Sequence, residues 1–142
     1  MLKTFVLATD GSESANGAHR LAADLLQAVA DGRLTVVYVR ADAQYLLAPD
    51  IVVPDALIEA EEAFEKALEE RIYKEFAAFA GRVTFVRRQG HPATEICRVA
   101  DQLDADVIIV GSHGRGALER TFIGSVSRAV LNQTRRPVLV AR

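Results

Sequence analysis

The chain reads as a single-domain α/β protein built on an open, doubly wound parallel sheet of five strands. Three observations carry this reading. Five short apolar, β-prone runs recur along the 142 residues, and segments with helical periodicity separate all but one consecutive pair directly. Glycine or proline punctuates most of the junctions. Strands alternating with helices bury a parallel sheet on both faces, and right-handed crossovers leave only a few doubly wound orders.

The first run spans residues 2–9 and stops at Asp10-Gly11-Ser12. Residues 13–30 then place Ala15, Ala18, Leu21, Ala22, Leu25, Leu26 and Val29 at helical spacing, which predicts a helix with Gly32 in the left-handed position beyond its end. His19 is expected on its polar side. Residues 34–39 form the second strand. Between 41 and 54 the pattern breaks at Pro49 and Pro54, although Tyr45, Leu46 and Leu47 are apolar. Those three either lid a ligand or cover the edge of the core. A long helix is expected over 55–80, with Leu57, Phe64, Leu68, Ile72, Phe76 and Phe79 as its buried stripe. The third strand is expected over 83–87. Gly90-His91-Pro92 opens a helix that turns Ile96, Val99, Ala100 and Leu103 inward, with Pro92 suited to its first position. Residues 105–110 form the fourth strand, 124–134 the last helix and 137–141 the fifth strand. There is no internal repeat, low-complexity tract or linker, so residues 1–142 are expected to form one domain.

Half of the residues are hydrophobic, a quarter are charged, and the net charge is −2. That balance argues against a nucleic-acid binder, which presents a basic face. The single cysteine, Cys97, excludes an intrachain disulfide and a cysteine-rich metal site. Its helical neighbours Ile96, Val99 and Ala100 make it a packed thiol. The three histidines lack metal-ligand spacing. The apolar start is too short for a signal peptide and no run could span a membrane, so a cytoplasmic location with no membrane partner is expected.

Ligands of open doubly wound sheets sit beyond the carboxyl ends of the strands, where strand order reverses. Asp10, Arg40, Asp42, Gly90 and the Gly111–Gly114 loop lie at carboxyl ends. Asp104, Asp106, Arg135 and Arg136 lie at the other edge and are excluded from the site. The fourth strand leads into Gly111-Ser112-His113-Gly114 and then, at Gly124-Ser125, into a helix N-terminus. Glycine lets backbone amides approach a ligand, and the unpaired amides of a first helical turn favour an anion. If the first and fourth strands are neighbours, Asp10 faces the same crevice, which suits a ribose beside a phosphate.

Asp10-Gly11-Ser12, Gly90-His91-Pro92-Ala93, Gly111-x2-Gly114-x9-Gly124-Ser125 and the closing Arg136-Pro137-Val138-Leu139-Val140 together resemble the universal stress protein family. The glycine spacing is similar to that of its ATP-binding subclass. The resemblance covers essentially the whole chain. It implies a Rossmann-like fold of the adenine nucleotide alpha hydrolase-like kind, with strand order 3-2-1-4-5. It further implies that Ala8, Thr9 and Asp10 lie near the adenosine, with Val39 against the adenine. Val110, Gly111, His113 and Gly114 would hold ribose and phosphates, and Gly124, Ser125, Val126 and Ser127 would meet the phosphate chain. The implied ligand is ATP (or ADP or AMP) with Mg²⁺. The implied partner is a second copy, joined through residues 137–141 as a homodimer.

Each feature also has a plainer reading. Asp10 could cap a helix, as Ser12 is expected to do; the glycine loop favours ribose contact for Asp10. His113 lacks an evident partner carboxylate, so it is read as a contact residue rather than a general base. Arg115, Arg120 and Arg128 either pair with phosphates or face water, Arg115 being the best placed. No Walker lysine follows the glycines and no paired carboxylates mark the loop. The function expected is therefore nucleotide-dependent regulation in the stress response, acting through dimerisation and partner contacts. The alternative is a slow ATPase or phosphotransferase using the same site.

Overall fold

The computed structural model describes residues 1–41, 50, 52–112 and 124–142. Strand β1 (Thr4–Ala8) is followed by a 3-10 turn (Glu13–Ala15) and helix α1 (Asn16–Ala28). Strand β2 (Arg33–Ala41) and helix α2 (Asp55–Glu75) come next. A second 3-10 turn (Ala77–Phe79) leads to strand β3 (Val83–Gly90) and helix α3 (Pro92–Gln102). Strand β4 (Val107–Gly111), helix α4 (Ser125–Gln133) and strand β5 (Val138–Ala141) complete the chain.

The strands form one sheet in the order β3-β2-β1-β4-β5, every neighbouring pair parallel, as the resemblance implied. Period-2 alternation along β1 sends Phe5 and Leu7 to one face and Val6 to the other. The first face carries Ala18, Ala22 and Leu26 of α1 and Leu68, Ile72 and Phe76 beyond it. The second carries Ala93, Ile96, Val99 and Ala100 of α3 and Val130 of α4. Two apolar layers thus sandwich a sheet whose central strands are buried on both sides.

Several local expectations are corrected. Gly32 does not take a left-handed conformation, since its φ is absent from the positive range that Gly11, Gly81 and Gly90 occupy. The carbonyls at the end of α1 are instead gathered by Arg82. Its Nη2 donates to Leu26 O at 2.9 Å, and its Nη1 to Val29 O at 2.9 Å and Ala30 O at 2.8 Å. A cationic fork at a helix C-terminus satisfies orphan carbonyls and opposes the dipole. Gly32 is required by close approach: a Cβ there would sit 2.9 Å from Phe5 Cε2 and 3.0 Å from Val29 O.

Leu57 is 60 % exposed, in an opening stretch of α2 whose residues 55–60 are all exposed, and Leu103 is 42 % exposed at the end of α3. Helix α2 stops at Glu75, five residues early, and the chain reverses through Gly81 at φ +85. Strand β3 continues past its apolar run to Gly90, because its backbone pairs with β2 as far as Ala41↔Gly90. An edge strand tolerates Arg87, Arg88 and Gln89 there.

The amino edge of the sheet is tied by charge. Asp106 Oδ2 accepts the amides of Lys3 at 2.8 Å and Thr4 at 2.9 Å. Arg136 bridges Asp101 and Asp104 and donates to Ala105 O. The two amides hold the Asp106 carboxyl below its ordinary pKa. A depressed folded pKa means that this contribution is complete above the unfolded value of 3.8 and is lost as pH falls through the folded one. Asp106→Asn is therefore expected to lower the thermal midpoint at neutral pH. The gap from wild type should narrow in scans carried below that value; a gap independent of pH would refute the assignment.

Candidate functional site

Strand order reverses between β1 and β4, and their register (Phe5↔Val107, Val6↔Ile108, Leu7↔Ile109) brings the two carboxyl ends level. Extended by two residues, that register sets Thr9 beside Gly111. The Thr9 amide still donates to Val37 O at 3.0 Å, and the Ser112 amide to Ala141 O at 2.8 Å. Each strand end stays tied to its outer neighbour, β1 to β2 and β4 to β5, beyond the last β1–β4 pair, Leu7↔Ile109. The switch point thus lies at the carboxyl ends of two central strands.

One wall is Asp10-Gly11-Ser12. Asp10 Oδ1 accepts the Ser12 amide at 2.9 Å and the Ser12 hydroxyl at 2.5 Å. This is an Asx turn rather than a helix cap. Ser12 occupies the position before the 3-10 turn but makes no side-chain cap bond; its hydroxyl is drawn to Asp10 instead. Gly11 has φ +78, and a Cβ there would meet Phe64 Cζ at 2.9 Å, so glycine is needed on both counts. Arg71 Nη2 donates to Gly11 O at 2.8 Å.

The other wall joins β4 to α4. The Ser127 hydroxyl donates to Gly111 O, and the Gly124 amide to Ser112 O. Gly124 is the N-cap residue of α4, extended at φ −61 and ψ 159, with no side chain to occupy the helix end. The amides of Ser125, Val126 and Ser127 have no acceptor within the helix. No acidic residue lies in that first turn to offset its positive end. Ser127 is 5 % exposed and its hydroxyl hydrogen is engaged by Gly111, so its amide is the group left for an anion.

Between the walls, Ala8, Val39 and Val110 belong to the same apolar layer, on the α3 and α4 side of the sheet. Ala8 and Val39 are partly buried and Val110 is buried in the same cluster, so the carboxyl ends of three strands are apolar on this side, which fits a flat heterocycle better than a second polar group. Arg40, at the end of β2, faces the opposite layer. Its Nε donates to Glu65 Oε1 at 2.8 Å, and that hydrogen bond, with the Glu65 charge, raises its pKa. His113, Gly114, Arg115 and Arg120 lie outside the described residues, as do Asp42, Tyr45, Leu46 and Leu47. Arg128 is exposed on α4.

The amino-edge residues Asp104, Asp106 and Arg136 bind one another's segments, far along the strands from this crevice. Cys97 is buried, and burial first, then the Asp101 charge, pushes its thiol pKa up, as befits an unreactive group.

Sequence reasoning misplaced His19. It is 1 % exposed, between α1, α2 and the end of β1. The signal was present in the helical spacing: His19 lies four residues after Ala15 and three before Ala22, both buried. A cavity of about 470 Å³ also opens beside the Asp10 loop, lined by Gly11, Ser12, Glu13, Asn16, Arg20, Arg71 and Glu75. It lies toward α1 and α2, away from the surface formed by Ala8, Val39 and Val110.

The fold and these two walls define a doubly wound α/β protein with a helix N-terminus at its topological switch point. The model of the universal stress protein family matches residues 1–142, and the chain belongs to that family. It is 36 % identical over 148 residues to a universal stress protein of Thermus aquaticus, covering all of both chains. The solved structure of protein MJ0577, a universal stress protein of Methanocaldococcus jannaschii, superposes with a TM-score of 0.85 at 27 % identity, covering 99 % of this chain and 96 % of the other. A universal stress protein from Archaeoglobus fulgidus, solved in complex with dAMP, superposes with a TM-score of 0.61 at 21 % identity, covering 100 % and 98 %.

Ser127→Ala is expected to leave Gly111 O without its donor and to cost about 1–3 kcal/mol, read as a lower urea midpoint with an unchanged slope. An unchanged midpoint would show that the Ser127 bond does not hold the two sides of this wall together.

Proposed function

We propose that this chain is an adenine-nucleotide-binding regulatory protein of the stress response, with ATP as the nucleotide. The observation that carries the reading is the glycine-capped start of α4, with no acidic residue in its first turn, at the switch point facing Asp10. Phosphates would lie on the amides of Ser125, Val126 and Ser127, with Gly111 and Gly124 allowing close approach. The apolar surface of Ala8, Val39 and Val110 would take the adenine, and Asp10, beside Thr9, the ribose hydroxyls. His113, Gly114 and Arg115, from the connecting segment, would complete the phosphate contacts, and Mg²⁺ would accompany the phosphate chain. The dAMP complex of the Archaeoglobus fulgidus relative supports an adenine nucleotide as the ligand class.

Occupancy would act through contacts with other chains. Among the described residues strand β5 forms one edge of the sheet and pairs only with β4, leaving Leu139 38 % exposed. An edge without charges in its run can pair with a second copy, so residues 137–141 would form a homodimer seam. The protein would work in the cytoplasm; among the described residues no helix is long and apolar enough to cross a membrane.

Titration calorimetry is expected to give a micromolar Kd for ATP. Gly124→Asp should weaken it by at least about 10-fold, because a carboxylate at the helix start repels phosphate. Absence of heat or displacement with any adenine nucleotide would defeat the reading. Light scattering after gel filtration should return twice the chain mass, and Leu139→Lys should return the chain mass; a wild-type monomer would defeat the dimer.

A further inference from the structure

We infer that His19, braced by Glu75, positions Thr9 and through it the Asp10-Gly11-Ser12 wall of the nucleotide crevice. The inference rests on the nucleotide reading and adds to it a support reaching from outside the site. His19 Nδ1 lies 3.1 and 3.2 Å from the two carboxylate oxygens of Glu75, and Nε2 lies 2.8 Å from Thr9 Oγ1. The Phe76 ring sits 6.2 Å away, tilted by 47°. A carboxylate only accepts, so Nδ1 carries the hydrogen directed at Glu75. In that tautomer Nε2 accepts from the Thr9 hydroxyl, and the Thr9 oxygen accepts the Gly11 amide at 3.2 Å. Three directed hydrogen bonds therefore run from α2 through α1 into the loop.

Helix α2 also reaches the far side of the same residue, through Arg71 to Gly11 O. The N–H of Gly11 is thus fixed by way of Glu75, His19 and Thr9, and its C=O directly. Both supports start one turn apart on one helix, and between them they hold the two peptide units that flank Gly11, the one before it by its N–H and the one after it by its C=O.

Carboxylate, imidazole and hydroxyl in this order are also how nucleophiles are activated, but Thr9 is placed for support. It is 7 % exposed and follows Phe5 and Leu7 on the α1 and α2 face, whereas Ala8 faces the nucleotide side. The cavity beside the loop is lined by Gly11, Ser12, Arg71 and Glu75 but not by Thr9. His19 and Thr9 are positioning residues, and no substrate reaches them along this path.

The test compares Thr9→Val, which keeps the shape and removes the hydroxyl, with Thr9→Ser, which keeps the hydroxyl. ATP affinity is measured by calorimetry and stability by thermal melting. In wild type, long-range proton–nitrogen spectra of the imidazole are recorded with and without saturating ATP. Thr9→Val should weaken ATP about 5-fold or more, the equivalent of losing one hydrogen bond's net worth. Thr9→Ser should stay within about 2-fold of wild type, and the His19 ring nitrogens should shift on ATP addition. Equal weakening by both variants, wild-type affinity in a folded Thr9→Val, or His19 nitrogens unmoved by saturating ATP would overturn the inference. Wild type that binds no ATP would instead overturn the nucleotide reading, and this inference with it. Should Thr9→Val fail to fold, the wild-type spectra decide.

Discussion

The pairing of β1 with β4 is the contact on which the rest of the molecule depends. The chain first winds outward through β2 and β3, then returns to lay β4 on the other side of β1. That reversal is what leaves two adjacent strand ends without a crossover between them. The register is secured at the amino edge, where the Asp106 amide donates to Thr4 O at 2.8 Å and its carboxylate takes two amides from the start of β1. A slip of one residue would turn Val6 and Leu7 to the wrong layers, and would carry Thr9 out of line with Gly111.

The two edges of the sheet carry polar groups to different ends. At the amino edge, carboxylates and Arg136 are matched with one another and with the backbone, so the charges there close the structure. At the carboxyl edge α4 starts with glycine instead of a capping side chain, so its first amides have no acceptor within the helix. Helix α2 braces the other half of that edge. Glu65 takes Arg40, Glu69 takes Arg87, Arg71 binds Gly11 O in the Asp10 loop, and Glu75 binds His19 of α1. A long helix that buries only a narrow stripe on the sheet thereby also orders loops by its polar face.

The element order was legible because each apolar run and each helical stripe repeats its own period, and the order of strands followed once the motifs were matched. What was hidden depended on contacts between distant segments. Arg82 is the residue that closes α1, although it lies beyond α2 in sequence, so the helix end looked like a glycine stop at Gly32. Leu57 carried the right periodicity but lies in the exposed opening stretch of α2, where none of residues 55–60 is buried. His19 was read by its polarity; the partners that allow its burial, Thr9 and Glu75, come from separate elements. The walls of the site were readable from Asp10, Gly111 and Gly124, since turn and cap chemistry is local. The roles expected of His113, Gly114 and Arg115 rest on the family resemblance and lie outside the described residues.

The central claim is that an adenine nucleotide sits between the ends of β1 and β4, with its phosphates on the start of α4. Amide proton–nitrogen spectra of the labelled protein, recorded during ATP addition, test it most directly. Saturable shifts are expected at Thr9, Asp10 and Gly11, at Val39, at Val110 to Ser112 and at Gly124 to Ser127. Shifts grouped instead around Arg20, Arg71 and Glu75, or no saturable shifts, would contradict it.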